Sequence, residues 1–402
     1  MSTTTACGPA QGSGYRAVLG SPHVARLLGG TLIGRLPTGM APIAILLLVR
    51  AEHGPLALAG ALGALYGLAS ALGQPLLGRL VDRHGHTQVL VPATIAASTA
   101  FLLLPCTGPV RHPVLAVPAV LVAGLAAPPL EASLRALWPV LLPDTDRRRA
   151  ALALDSSTQG LVFVAGPLLA TGFAASAGAT AALVATAALG LLGAGLVVTA
   201  DPSRTWTPTA TTAPVHWSGP LRVPGLRVLF AALIGTGIAL GAVNVLALSA
   251  AEHHRAGWLA GVMPAALSLG SMLGGLAYGR HAWPGAPAKH LVAASIGFAA
   301  GWLALLPDPA PAVAVLGAVL PGTFLAPLLT ASFLTVDRLA PDGEATEAFA
   351  WLVACIGVGQ AVGTGLASLA ASGGPELVAL VPLAGAAAAL WLLRRFDHHL
   401  SA

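Results

Sequence analysis

"GRLVDRHGHTQ", residues 78–88, is the most polar stretch of a chain whose charged residues amount to only 9%. It places Asp82, Arg83, His84 and His86 on one short turn, with long apolar runs on either side. Hydrophobic residues make up 56% of the 402, and the mean hydropathy is +0.80. Soluble domains carry about 25% charged residues, so this composition lies far outside their range. Apolar runs of about eighteen residues or more call for bilayer-spanning helices. A membrane β-barrel needs alternating segments of about ten residues, which the Leu, Ala and Val runs do not provide. The predicted class is an all-α polytopic membrane protein, and the 78–88 turn is a point where the chain leaves the bilayer and re-enters it.

Breaks at Pro, Gly and charge clusters predict twelve spans: 24–48, 55–80, 88–106, 113–141, 150–174, 178–200, 223–248, 257–279, 289–306, 311–336, 345–371 and 376–394. An even number puts both termini on one side. Sixteen of the twenty Arg and Lys residues then fall on that side, only Arg50, Arg111 and Arg255 fall on the other, and Arg35 lies within a span. The positive-inside rule makes the shared side cytoplasmic, with the cytoplasmic membrane as the expected location. A disordered tail is expected over 1–23, helix bundles over 24–200 and 223–396, and a short tail over 397–402. The Pro/Thr-rich stretch 201–222 suits a flexible cytoplasmic linker. The polar start "MSTTTACGPAQGSGYR" lacks the order of a cleaved signal peptide, so the first span is expected to direct insertion.

Several classes are excluded or disfavoured. The net charge of +5 does not point to nucleic acid, because the basic residues are scattered and follow topology instead. Cys7, Cys106 and Cys355 are too few and too far apart for a disulfide framework or a zinc site. The pairs His253-His254 and His398-His399 lack a third ligand, so no metal is expected. There is no P-loop, Lys289 is the only lysine, and no HExxH pair occurs. Neither a cofactor nor an enzyme activity is expected, and the chain is expected to act as a monomer.

The two halves resemble each other at an offset near two hundred residues. "APPLEASL" from Ala127 matches "APLLTASF" from Ala326 with five identities in the first seven positions. Pro143-Asp144 recurs as Pro341-Asp342, and "GRLVDRH" from Gly78 aligns with "GLAYGRH" from Gly275, where Gly279 replaces Asp82. Six spans plus six suggest two pseudo-equivalent bundles with a site between them. Gly78, Asp82, Arg83 and Gly85 match G-x-x-x-D-R-x-G, the signature loop between the second and third spans of the major facilitator superfamily. Where that motif continues with two basic residues, this chain has His86 and Thr87. The chain thus resembles a major facilitator transporter over essentially its whole length. The resemblance implies alternating access to a midplane site, with this loop latching the cytoplasmic ends of the bundles.

Elementary chemistry supports a latch. Gly78 lets two helices approach closely, and Gly85 permits a sharp reversal. Asp82 can hold an arginine or the positive N-terminus of a helix. Arg135 is the candidate partner. The bland alternative is that these charges only end the helix and set topology.

Ionisable groups at membrane depth are costly unless paired or wetted, so each is a functional candidate. Helix rise puts Arg35 about sixteen Å and Glu131 about fifteen Å from the cytoplasmic end of their spans, so the two could meet. Arg135 and Asp155 both fall at roughly seven to nine Å, which gives Arg135 two suitors, Asp82 and Asp155. In a cavity, desolvation favours a neutral Glu131 and a nearby arginine favours the carboxylate, which suits reversible proton binding. The competing reading is a structural ion pair, and Asp155 is equally explained as a charge at a helix start. Gln74, Gln159, Asn244 and Gln360 are candidate substrate contacts, or interhelical hydrogen bonds. Gly166-Pro167 resembles the core of a fifth-span antiporter motif, without its flanking glycines, and predicts a kink. The function expected is proton-coupled efflux of a small molecule by a secondary transporter embedded in lipid. An importer or facilitator, and a transport-inactive sensor on the same fold, are the alternatives.

Overall fold

The computed structural model describes residues 15–207, 218–281, 283–306, 309–371 and 374–400. All regular structure among them is helical. A short α1 (Tyr15–Leu19) leads into α2 (Val24–Ala51), α3 (Leu56–His84), α4 (His86–Leu103), α5 (Pro113–Leu125), α6 (Leu130–Leu141), α7 (Thr145–Ala177) and α8 (Ala179–Val198). After α9 (Asp201–Thr205), the second half comprises α10 (Pro224–His253), α11 (Leu259–Arg280), α12 (Pro287–Trp302), α13 (Pro311–Leu339), α14 (Ala345–Ala370), α15 (Pro375–Arg395) and α16 (Asp397–Leu400).

Among the described residues eleven segments are long and apolar enough to cross a membrane, with α5 and α6 together forming one of 29 residues. The 29-residue α3 completes the expected series. Such helices are what lipid demands, since each satisfies its own backbone hydrogen bonds. Proline opens α5, α10, α12, α13 and α15, where its missing N–H costs nothing.

The helices pair in the same pattern in both halves. In the first, α2 packs on α7 and α8, and α3 on α5; in the second, α10 packs on α14 and α15, and α11 on α13. The halves meet along two seams, α3 against α14 and α11 against α7. Gly78 and its repeat counterpart Gly275 sit one on each seam. A Cβ on Gly78 would lie 3.0 Å from Glu347 Cα, and one on Gly275 would strike the Ser157 hydroxyl. The duplication read from sequence is therefore also a duplication of contacts.

The buried apolar residues form two clusters. One runs through the end carrying the 78–88 turn and the whole second half; the other fills the far end of the first half around Met40, Ile45, Phe101 and Leu183.

Residues 15–23, counted with the N-terminal tail in the sequence reading, are ordered by docking. The Tyr15 hydroxyl donates to the carbonyl oxygens of Leu276 (2.8 Å) and Gly275 (3.2 Å) on the second half. It occupies the space that a side chain at Gly279 would fill. The C-terminal tail likewise contains α16, whose Leu400 is buried. Residues 1–14, and 208–217 of the expected linker, lie outside the described residues.

Candidate transport cavity and latch

A cavity of about 610 Å³ lies between the halves, lined by α2, α3, α7, α10 and α14 among others. On α2 it runs from Arg35 to Ile43 and on α3 from Gln74 back to Tyr66, so it extends from mid-helix away from the 78–88 turn. Gln74, Gln159, Asn244 and Gln360 all line it. Gln74 is buried and Asn244 exposed.

Its floor depends on a helix break. α5 ends at Leu125 and α6 starts at Leu130, so Ala126–Pro129 is non-helical backbone inside a spanning segment. Two consecutive prolines explain it: neither Pro128 nor Pro129 can donate to a carbonyl one turn earlier, and each disfavours helix in the residue before it. The repeat counterpart around Pro327 has a single proline, and α13 runs through it. The break places Glu131 in the first turn of α6, where exposed N–H groups favour an anion.

Glu131 belongs to a closed ion cluster. Arg35 reaches Glu131 at 2.5 Å and Asp155 at 3.1 Å; Arg135 reaches Asp155 at 2.7 Å and Glu131 at 3.3 Å. Two cations and two anions thus alternate, each touching both groups of opposite sign. All four are buried. The Arg135 guanidinium also lies 3.7 Å from the centroid of the Phe333 ring, on α13 of the other half. Close by, Thr330, the repeat counterpart of Glu131, donates across the interface to the Ser156 hydroxyl at 3.1 Å. The cluster is thereby built from the first half and roofed by the second.

Beyond the cluster, away from the cavity, the halves are clamped. Asp82 accepts hydrogen bonds from the backbone N–H groups of Thr346 (3.0 Å) and Glu347 (2.8 Å), capping α14 of the opposite half. Of the two partners the sequence allowed, the helix N-terminus is the one engaged; Arg135 is drawn into the ion cluster and does not meet Asp82. Arg79, which the sequence reading passed over, forms a forked pair with Glu347 at 2.8 and 2.6 Å. Beside the second seam, where α13 also touches α7, Arg148 pairs with Asp337 at 2.5 Å. Arg222 at the start of the second half reaches Glu344 at 3.3 Å.

Gly85 adopts φ +96, which allows the abrupt reversal between α3 and α4. Arg83 is exposed, unlike Asp82. His86 is fully buried against the Trp206 ring, centroids 4.8 Å apart. A permanently charged residue there would lose its hydration without a partner, which accounts for the departure from the basic pair of the motif. α7 continues as helix through Pro167. Gly166, one residue before it, permits close packing: a Cβ on it would lie 2.7 Å from the Gly39 carbonyl carbon on α2.

Comparison with known proteins agrees with this architecture. The family profile of the Major Facilitator Superfamily matches residues 27–364. The chain belongs to the major facilitator superfamily. It is therefore a multi-pass membrane transporter of small molecules, not an enzyme. The human organic anion transporter MFSD10 (TETRAN) has a similar structure, with TM-score 0.72 and 16% identity over 92% of this chain and 99% of that one. A bacterial homologue of the iron transporter ferroportin in an outward-facing state gives 0.71 and 15% over 93% and 99%. The E. coli fucose:proton symporter FucP gives 0.69 and 15% over 92% and 97%. At these identities the likeness speaks for the fold alone. No curated protein matches the chain in sequence.

In this superfamily member, helix rise along two spans sufficed to bring Arg35 and Glu131 together, and likewise Arg135 and Asp155. Of the two links between these pairs, Glu131–Arg135 is an i,i+4 contact on α6 whose spacing was a readable signal; Arg35–Asp155 joins α2 to α7, 120 residues apart, and carries no such mark. Arg79 and Glu347 were missed because they are 268 residues apart and face each other only once the halves assemble. The one available signal was an uncapped acid, Glu347, at the start of a predicted span.

Proposed function

We propose that the protein is a proton-coupled secondary transporter that exports a small molecule across the cytoplasmic membrane by alternating access. The observation that carries this reading is a cavity with a charge-balanced cluster at its floor, next to an end clamped by charged contacts between the halves. The clamped end bears the arginine-rich loops, so it is taken as cytoplasmic, with both termini on that side. The cavity then faces outward in this state, and parting of the two seams would open it inward.

Glu131 is the proposed proton carrier. Its Oε2 is shared by two guanidinium groups, so a proton arriving on the carboxylate removes one of two negative charges and leaves the cluster with net charge +1. That excess weakens the hold of Arg135 in place beneath Phe333, the contact that joins the cluster to the second half. Proton occupancy and closure are thereby coupled through one side chain. Asp155 holds both arginines in register, and Gln74, Gln159, Asn244 and Gln360 are placed to meet the solute.

The test is flux of labelled solutes in vesicles carrying the purified chain, with and without an imposed pH gradient. Gradient-stimulated flux is expected in the unmodified protein. Glu131→Gln should retain solute counterflow and lose the stimulation. Flux that ignores the gradient, or stimulation that survives Glu131→Gln, would refute the coupling.

A further inference from the structure

A second groove lies at the clamped end of the molecule, between the start of α10 and the end of α15, apart from the transport cavity. We infer that it holds an anionic phospholipid of the leaflet on that side, its phosphate met by Arg227 and Arg395 and its first acyl carbons lying along α10 and α15. The inference goes beyond transport and needs neither the cavity nor its coupling.

Shape is the first observation. The groove is about 310 Å³, and its apolar wall is Val228 and Ala231 of α10 with Leu392 of α15. Ala231 is exposed and lies about ten Å along the helix from Pro224, a depth at which an exposed side chain of a spanning segment meets lipid. Arg227, Phe396 and His399 line the outer end. The C-terminal tail builds that end: Leu400 is buried, and a Cβ on Gly225 would strike the His399 carbonyl oxygen, so α16 folds back onto the first turn of α10. Trp391 is 62% exposed and stands one turn before Arg395 on α15. Exposed tryptophan near the end of a spanning helix marks the headgroup level, so the neighbouring arginines stand where lipid phosphates lie.

Charge is the second observation. Arg227, Arg394 and Arg395 are exposed, and none of them has an acidic partner among the described side chains. At the same end Arg79, Arg148 and Arg222 are each paired with an acid. The Arg395 guanidinium lies 5.5 Å from the centroid of the Phe396 ring, and Phe396 lines the groove, which brings this cation to its rim. Asp397 is the one acid of the stretch 394–399, so the stretch together with Arg227 carries three arginines against one carboxylate. A phosphate diester supplies the missing anion, and its acyl chains cover the apolar wall below. A soluble anion would leave that wall bare, and a zwitterionic lipid brings a cation of its own to an already cationic rim.

Brominated lipids test this on the purified full chain in phosphatidylcholine vesicles. Quenching of Trp391 is read as the difference between the unmodified protein and Trp391→Phe, with dibrominated phosphatidylglycerol or dibrominated phosphatidylcholine at matched mole fraction. Phosphatidylglycerol is expected to be enriched roughly fivefold at Trp391 over its bulk fraction, the effect of about one arginine near an anionic headgroup. Arg227→Gln and Arg395→Gln, each compared with and without Trp391→Phe, should bring the enrichment close to the bulk value. Either variant alone suffices if the other does not insert. Arg16→Gln, which removes an exposed arginine elsewhere at the same end, should leave it unchanged. Equal quenching by the two lipids, enrichment that survives both groove substitutions, or enrichment that falls as far in Arg16→Gln would each overturn the site. Loss of enrichment on adding sn-glycerol 3-phosphate, beyond the effect of sodium chloride at equal ionic strength, would overturn the lipid in favour of a soluble phosphate ester. Solute flux and its dependence on the pH gradient are read separately, so failure here leaves the transport reading standing.

Discussion

At the scale of single residues, the latch depends on Asp82 acting as a helix cap supplied from another bundle. Its two carboxylate oxygens take the N–H groups of Thr346 and Glu347, which no residue of α14 can satisfy at that end. Removing a capping side chain costs about 0.5–2 kcal/mol, and a factor of ten in population corresponds to about 1.4 kcal/mol. Asp82→Asn keeps one acceptor and loses the charge. It is therefore expected to raise the unclamped population roughly three- to tenfold, read as a longer distance between spin labels at the exposed positions Arg83 and Asp342. An unchanged distance distribution would return Asp82 to the role of a topology signal. That Asp82 would seek a partner was legible from its place in an otherwise apolar chain. Its partner was not, because backbone N–H groups carry no sequence mark and α14 is remote in the chain.

At the scale of elements, α1 has a function its sequence did not advertise. "YRAVL" reads as the end of a polar tail, yet the Tyr15 ring enters the space left by Gly279, where the first half has Asp82. Where one seam is clamped by an acid, the other is clamped by a phenol from the chain's own N-terminal helix. Burial pushes the Tyr15 hydroxyl up to about 12 from its usual value near 10, against a smaller opposing pull from Arg280. The docked phenol therefore holds its proton more tightly than a free one. Docking is indifferent to pH below 10 and weakens as pH rises from 10 through 12, where the free ring would ionise first. Difference absorbance between the unmodified protein and Tyr15→Phe should show this tyrosinate near pH 12; appearance near pH 10 would mean that α1 is not docked. The span boundaries were readable because proline, glycine and charge mark where helices meet water. The break at Ala126–Pro129 was read through as one span, since hydropathy is blind to a missing N–H.

At the scale of the whole molecule, the two seams must part together for the halves to rock. Arg148–Asp337 beside one seam and Asp82 on the other share no partner, so their contributions should add. Arg148→Gln combined with Asp82→Asn is expected to multiply the two single-variant shifts in unclamped population, to within about a factor of two, in the same spin-label measurement. A double variant no more open than the stronger single one would show that a single seam controls closure. The overall twofold design was visible in the repeated "APPLEAS" and "APLLTAS" segments. The same comparison also displayed where the halves differ: Glu131 faces Thr330, and the paired prolines face one. That difference has a lasting effect on what the duplication can do. A hypothetical protein assembled from two copies of residues 223–396 would lose Asp82, Arg79 and Arg148 from its seams, together with the broken helix and the acids of the cluster. The repeat carries the helical framework of both halves, while the two acids and two arginines of the cluster all stand on one side.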